Sequence, residues 1–120
     1  MENFNDYNCP MDAALQLVGG KYKGIIIWLL ADATLRYSEI RRAIPSATDK
    51  MLTKQLRELE QGGLLIRKVY PVVPPRTEYS LTKLGKSLSP ILSELCAWGK
   101  RYLTDTNKCA ELVTQEEQKL

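Results

Sequence analysis

This sequence predicts a mainly α fold carrying one small β-hairpin, and three observations predict it. Leu52, Leu56 and Leu59 recur at helical spacing between a capping Thr48 and the stop at Gly62-Gly63. Directly afterwards, Leu65–Tyr70 and Arg76–Leu81 read as two strands around the stiff segment PVVPP. Finally, Leu84, Leu88, Ile91, Leu95, Trp98 and Tyr102 follow alternating steps of 4 and 3, the seam of a long helix near the C-terminus.

Taken in order, Cys9-Pro10 opens a first helix from Met11 to about Val18, with Ala14, Leu15 and Val18 as its apolar stripe. Pro10 suits the first helical position, where a missing N–H costs nothing. Gly19-Gly20 ends that helix. A second one, Lys21 to about Ala33, contains IIIWLL, apolar nearly all round and expected to run through the core. Lys21 and Lys23 at its start oppose the helix dipole, a conflict eased where a lysine faces an anion and otherwise left to solvent. Leu35-Arg36-Tyr37 is long enough only for a small strand. Ser38 is expected to cap a helix over Glu39–Ala43 that turns Ile40 and Ile44 inward and Arg41 and Arg42 outward, with Ile44-Pro45-Ser46 breaking it.

Thr48 then caps the next helix, since its hydroxyl can accept from an orphan backbone N–H, and Asp49 complements the positive end of the dipole. Opposite the leucines lie Lys50, Thr53, Lys54, Arg57 and Gln61, a cationic and hydrogen-bonding outer face. Two short helices joined by a tight turn, the second cationic outside, form a helix-turn-helix pattern. In the hairpin, Ile66, Val69 and Tyr70 alternate in the first strand and Thr77, Tyr79 and Leu81 in the second. PVVPP cannot donate at three of its five amides and should project, with Arg76 at its root. Prolines there also guard against edge pairing. Directly after a helix-turn-helix, however, such a hairpin reads as a wing that can lie along a phosphate backbone or enter the minor groove. The fold class is therefore a winged helix-turn-helix, mainly α with a small β-wing.

The last helix starts at Thr82, and Pro90 must kink or split it. Its seam either packs on its own domain or pairs with a second copy. Because the middle of the chain already forms a complete unit and Trp98 lies in the stripe, the second copy is the stronger reading. The expected layout is a single domain over residues 1–120, with dimerisation helices at 8–18 and 82–105 and a flexible, polar and acidic tail at 106–120.

Net charge is only +3, but its distribution is uneven. Residues 19–86 contain 13 Lys/Arg against 6 Asp/Glu, a net +7, whereas the remainder is −4. A basic middle between acidic ends fits a polyanion-binding body, against the plainer alternative that surface charge clusters by chance. The chain has no histidine, which removes Ser-His and Cys-His nucleophile pairs and every His-containing metal site. Three cysteines, Cys9, Cys96 and Cys109, are too scattered for zinc, and Gly19-Gly20 has the wrong spacing for a phosphate loop. No enzyme, metal or cofactor is expected, and no motif specifies a small-molecule effector. No apolar run approaches the ~20 residues of a membrane span, and the polar N-terminus has no signal-peptide pattern, so no membrane association and a cytoplasmic location are expected.

The order CPMDAALQLVGGKYKGIIIWLL, RYSEIRRAIP, KMLTKQLRELEQGGLLIRKVY, PPRTEYSLTKLGKSL and CAWG resembles the HxlR family of bacterial winged-helix transcriptional regulators, relatives of the MarR group. The resemblance covers roughly residues 9–103, and its specificity lies in the combination of LTKQLRELE, PPRTEYSLT and an N-terminal Cys-Pro. It departs from the family at Tyr22, where Trp usually follows GGK, and at Ala47-Thr48, where Ile-Ser is commoner. The resemblance implies a homodimer that binds double-stranded DNA and regulates nearby genes, often in detoxification or redox stress. It makes Thr48–Gln61 the recognition helix, with Lys50, Met51, Thr53 and Lys54 nearest the bases and Arg57 nearer a phosphate. Arg36, Arg41 and Arg76 would be further phosphate or minor-groove contacts. Leu88, Ile91, Leu95, Trp98 and Tyr102 would form the dimer interface.

Cys9 precedes Pro10 at a helix start, where the dipole favours a thiolate, and some members of the family use this cysteine as an oxidant or electrophile sensor. The alternative is a small buried residue capping the helix. Cys109 is the expected partner for an oxidised Cys9, while Cys96 beside the seam is expected to be packed. Two other classes compete: a protein-interaction module whose basic face binds an acidic partner, and a redox enzyme built on the cysteines, which no CxxC supports.

Overall fold

A computed structural model of the chain describes residues 7–106. Its elements are α1 (Pro10–Val18), α2 (Lys23–Leu29), β1 (Leu35–Arg36), α3 (Tyr37–Ala43), α4 (Asp49–Gln61), β2 (Leu65–Tyr70), β3 (Arg76–Leu81), α5 (Lys83–Lys86) and α6 (Ser89–Asp105). They form two units, one ending at Ser89 and the other starting at Pro90. The first unit holds the helix-turn-helix, α3 and α4, and a three-stranded antiparallel sheet in the order β1-β3-β2.

The core of the first unit comes from Ile26, Ile27 and Leu30 after the double glycine, Ile40 and Ile44 of the first helix-turn-helix arm, and Leu52, Leu56 and Leu59 of α4. Leu64, Leu65, Tyr79 and Leu81 close it from the sheet side. Burial of a leucine or isoleucine side chain contributes about 1.5–3 kcal/mol, so these residues dominate the unit's stability. In the hairpin Arg67 faces Tyr79 and Tyr70 faces Arg76, while Leu35 and Arg36 of β1 face Tyr79 and Glu78.

Several boundaries differ from expectation for identifiable reasons. Helix α2 is shorter than Lys21–Ala33 at both ends: it stops at Leu29 with Leu30 as its C-cap, and at its start the Tyr22 backbone N–H donates to Gln55 Oε1 at 3.0 Å, leaving Lys21 and Tyr22 outside the helix. Gly20 makes that turn with φ +85°, and the Gln55 amide lies 3.4 Å from where a Cβ would stand. IIIWLL is not apolar-buried all round either: Ile26, Ile27 and Leu30 are buried, while Ile25 is exposed. Ser38 does not cap α3, which begins one residue earlier at Tyr37. The first turn is closed instead by Glu39, whose Oε1 accepts from the Arg36 N–H at 2.8 Å.

In β2, Ile66 and Val69 are exposed and Leu65 is the buried residue. In α1, the stripe of the helix expected to take part in dimerisation is open: no residue of the helix is buried, and Leu15 and Met11 are exposed. The long C-terminal helix expected over 82–105 is two helices. Thr82 Oγ1 accepts from Gly85 N at 3.0 Å to start α5, and a Cβ on Gly85 would run into the Leu64 carbonyl. Ser87 and Leu88 form the turn before α6, so Leu88 is half-buried outside the helix that carries the rest of the seam. Pro90 sits at the second position of α6, where its missing N–H removes no helical bond.

Candidate nucleic-acid interface

Helix α4 owes its position to Thr48, whose Oγ1 accepts from the Met51 N–H at 3.1 Å, and to its three leucines. Gln55, the buried polar residue on the inward side, is satisfied by the Tyr22 N–H. The charges of this helix divide sharply. Glu58 Oε1 pairs with Lys23 Nζ at 3.2 Å, and the lysine side chain is only 14% exposed. Glu60 Oε1 pairs with Arg67 Nε at 3.2 Å. Asp49 Oδ1 accepts from Tyr37 Oη at 2.7 Å and Arg41 Nε at 3.0 Å. All three acids of α4 are thus tied back to α2, α3 or β2. Its three cations, Lys50, Lys54 and Arg57, are exposed and make no ion pair with any described residue. Its outer face is therefore positive in effect as well as in formal count.

Lys50, Thr53, Lys54 and Arg57 share this exposed face. Met51 is exposed too, but about 100° round from Lys50 and on the flank. The lysine conflict at the start of α2 resolves at Lys23 through Glu58, and Lys21 lies over the Tyr22 ring at 5.5 Å. Tyr22 itself is buried, and its hydroxyl is 3.3 Å from Ser46 Oγ in the turn between α3 and α4. A Tyr here therefore links α2 to the helix-turn-helix turn by a polar contact at the ring's far end.

The expected phosphate contacts are placed differently from one another. Arg36 is exposed at the end of β1. Arg76, at the root of the tip, lies over the Tyr70 ring at 4.5 Å, with its Nε 3.5 Å from Glu78 Oε2. Lys68 sits over the same ring at 4.9 Å, so Tyr70 holds two cations of the wing at one aromatic ring. Arg36 and Arg76 both line an open groove of about 520 Å³ between the start of α3 and the tip residues Val72–Pro75. Val73 at the tip is 99% exposed. Arg41 is drawn inward instead, with 34% of its side chain exposed and Nη1 3.5 Å from the carbonyls of Ile44 and Pro45.

Cys9 is exposed at the N-cap of α1 and its side chain makes no cap hydrogen bond, so it is not the small buried capping residue of the alternative reading. The first turn is served by Asp12, whose Oδ2 accepts from the Asn8 N–H at 3.0 Å, and this bond holds its carboxyl below the usual range. Cys96 is half-buried on α6. Cys109 lies outside the described residues. On α6, Ile91, Leu95, Trp98 and Tyr102 are all exposed, and the Trp98 and Tyr102 rings stack at 5.6 Å. Among the described residues no helix is long and apolar enough to cross a membrane.

Two features of the site escaped the sequence reading. The pairing of Glu58 with Lys23 joins residues far apart in the chain and leaves no periodic trace. Tyr70 facing Arg76 was available from the hairpin, because a turn centred on PVVPP sets those two residues opposite each other.

A helix-turn-helix with a cationic second helix, followed by a β-wing, defines the class of DNA-binding transcriptional regulators. The chain belongs to the HxlR family: residues 17–107 match the family's HxlR-like helix-turn-helix model. It is 53% identical over 98 residues to an HTH-type transcriptional regulator of Methanothermobacter thermautotrophicus, covering 82% of this chain and 75% of that one. Among solved structures it is similar to the redox regulator HypR in its oxidised form, with 47% identity, a TM-score of 0.74, and 78% and 96% of the two chains covered. It is also similar to the reduced form of the transcriptional regulator YodB from B. subtilis, with 38% identity, a TM-score of 0.68, and 78% and 93% covered.

Proposed function

We propose that this transcriptional regulator acts as a homodimer that reads a two-part operator, laying α4 of each copy in the major groove. The observation that carries this reading is the division of charge on α4, whose acids are tied into the fold while Lys50, Lys54 and Arg57 face out with no ion pair among the described residues. In this reading Lys50, Thr53 and Lys54 lie nearest the bases, with Met51 at their edge, and Arg57, Arg36 and Arg76 meet phosphates. Arg41 reaches a phosphate only with the N–H groups left over from Asp49. The open apolar faces of α1 and of α6 support a second copy as the partner, with the α6 row as the main contact and half-sites about one helical turn apart. Binding to duplex at near-physiological salt, in the presence of excess competitor DNA and with a clear sequence preference, is the expected result. Equal binding to heparin and to every duplex would favour an acidic protein partner instead.

The reading extends to regulation by oxidants or electrophiles through Cys9. HypR, to which the chain is similar, is a redox regulator, and Cys9 here is exposed with no cap hydrogen bond to its sulfur among the described residues. Diamide treatment is expected to change operator affinity in the wild type and to leave Cys9→Ser unaffected. Equal DNA binding before and after treatment, with Cys9 unreacted by mass spectrometry, would end this part of the proposal. Parallel treatment of Cys109→Ser checks whether that residue traps the oxidised sulfur.

A further inference from the structure

The division of charge on α4 has one irregular member. Glu58 and Glu60 are consumed by single cations, but Asp49 is held by two donors on one oxygen only. Tyr37 Oη and Arg41 Nε both point at Oδ1, at 2.7 and 3.0 Å, and Oδ2 takes no hydrogen bond from any described residue. The side chain stays 75% exposed in spite of these bonds. Asp49 is also the first residue of α4, in the turn that enters a major groove first when a recognition helix docks. We infer that Asp49 is a specificity-determining residue that reads one base pair in each half-site, with Tyr37 and Arg41 as its positioning residues. The inference rests on the proposed docking of α4.

The chemistry selects the base. An ionised carboxylate only accepts hydrogen bonds, and the donors from Tyr37 and Arg41 hold this one in its ionised form. Guanine offers N7 and O6, and thymine O4, all acceptors that repel it. Adenine offers an N6 donor beside an N7 acceptor. Cytosine offers N4–H₂ alone and is therefore the base Oδ2 fits. Tyr37 and Arg41 contribute by fixing the rotamer, so that Oδ2 meets the groove in one orientation without an ordering cost. Arg41 is itself anchored by the Ile44 and Pro45 carbonyls, which makes the clamp part of the helix-turn-helix turn.

A structural role alone, in which Asp49 merely joins α3 to α4, predicts something different. Asp49→Asn separates the two. Arg41 Nε is a donor only, so the amide oxygen must keep the Oδ1 position and the NH₂ must take the place of Oδ2. The clamp survives and the outward acceptor becomes a donor. Selection of bound duplexes from a randomised pool with the wild type is expected to enrich cytosine at one symmetry-related pair, with about tenfold or greater discrimination. Asp49→Asn should move the preference at that pair to a base bearing an acceptor, with the rest of the motif unchanged. Tyr37→Phe, which keeps the ring and removes one donor, should reduce discrimination several-fold at the same pair, with any second change confined to the base that Thr53 meets, because the Tyr37 hydroxyl also contacts the Thr53 side chain. An Asp49→Asn motif identical to the wild type's, including one bound more tightly by all duplexes alike, would overturn the inference while leaving the docking of α4 intact. A wild type that enriches no motif would overturn the docking and the inference together.

Discussion

Helices α4 and α6 obey the same sequence rule and end in opposite situations. Each has apolar residues every three or four positions. In α4 the stripe of Leu52, Leu56 and Leu59 is covered by its own unit, and the cations Lys50, Lys54 and Arg57 are among the residues left outside. In α6 the stripe of Ile91, Leu95, Trp98 and Tyr102 is itself outside, with Trp98 55% exposed and stacked on Tyr102. Periodicity reports that a face exists, not what covers it. The remaining surface then tells the partner: a row of unpaired cations suits a polyanion, whereas a contiguous apolar row suits another apolar row.

The largest test acts on the α6 side of this contrast. Leu95→Asp with Trp98→Ala is expected to convert a dimer into a monomer or an aggregating chain, because a charge in an apolar interface has no partner there. Operator affinity should fall by roughly 10²–10⁴, the avidity two linked half-sites provide. Light scattering that finds a well-folded dimer surviving both changes would mean that the α6 row is not the interface.

On the α4 side the effects are smaller and differ in kind. Lys54→Ala should lose about 1–3 kcal/mol of preference for the cognate site while nonspecific binding changes little. Arg57→Ala, one turn further along the outer face, should weaken all duplexes alike and reduce the slope of log affinity against log salt by about one. Titrations of cognate and scrambled duplexes at several salt concentrations separate the two. Loss of nonspecific affinity alone in both variants would place the N-terminal half of α4 away from the bases.

Local rules made α4 and the hairpin legible: Thr48 caps where a cap was due, and both strands have the bounds that their alternation implied. The failures share a cause, which is that tertiary partners decide burial and boundaries. Ile66 and Val69 carry the strand's apolar pattern yet are exposed, since nothing local says whether a stripe is covered within its own chain. Gln55 meets the N–H at the start of α2 from 33 residues away. Ser38 is a better cap by type than Arg36, but the reach of Glu39 to the Arg36 N–H decides where α3 begins. At the site, the outward cations of α4 could be read from spacing. The clamp on Asp49 could not, because it depends on the approach of Tyr37 and Arg41 across the turn.

The smallest expected effect isolates that clamp. Hydrogen bonds from Tyr37 and then from Arg41 hold the Asp49 carboxyl below its ordinary value of 3.8. A depressed folded value means that the clamp's contribution is fully present above the unfolded value and is lost as pH falls through the folded one. Stability should therefore be insensitive to Asp49 ionisation at neutral pH and decline only in acid below about 3.8. The group is solvent-exposed, so screening keeps the change small. Asp49→Asn is the proper reference, because a protonated Asp and an Asn present nearly the same shape and one acceptor to Arg41. Other depressed carboxyls, Asp12 among them, titrate in both proteins and cancel in the comparison. Thermal melts of both proteins from about pH 6 down to about pH 2.5 should show a small wild-type advantage that closes as the solution becomes acid. A gap that stays constant across this range would mean that ionisation of Asp49 adds nothing to the join between α3 and α4. The apolar row of α6 contains no carboxylate, so the same scan tests the α4 end of the contrast without a matching titration on the other side.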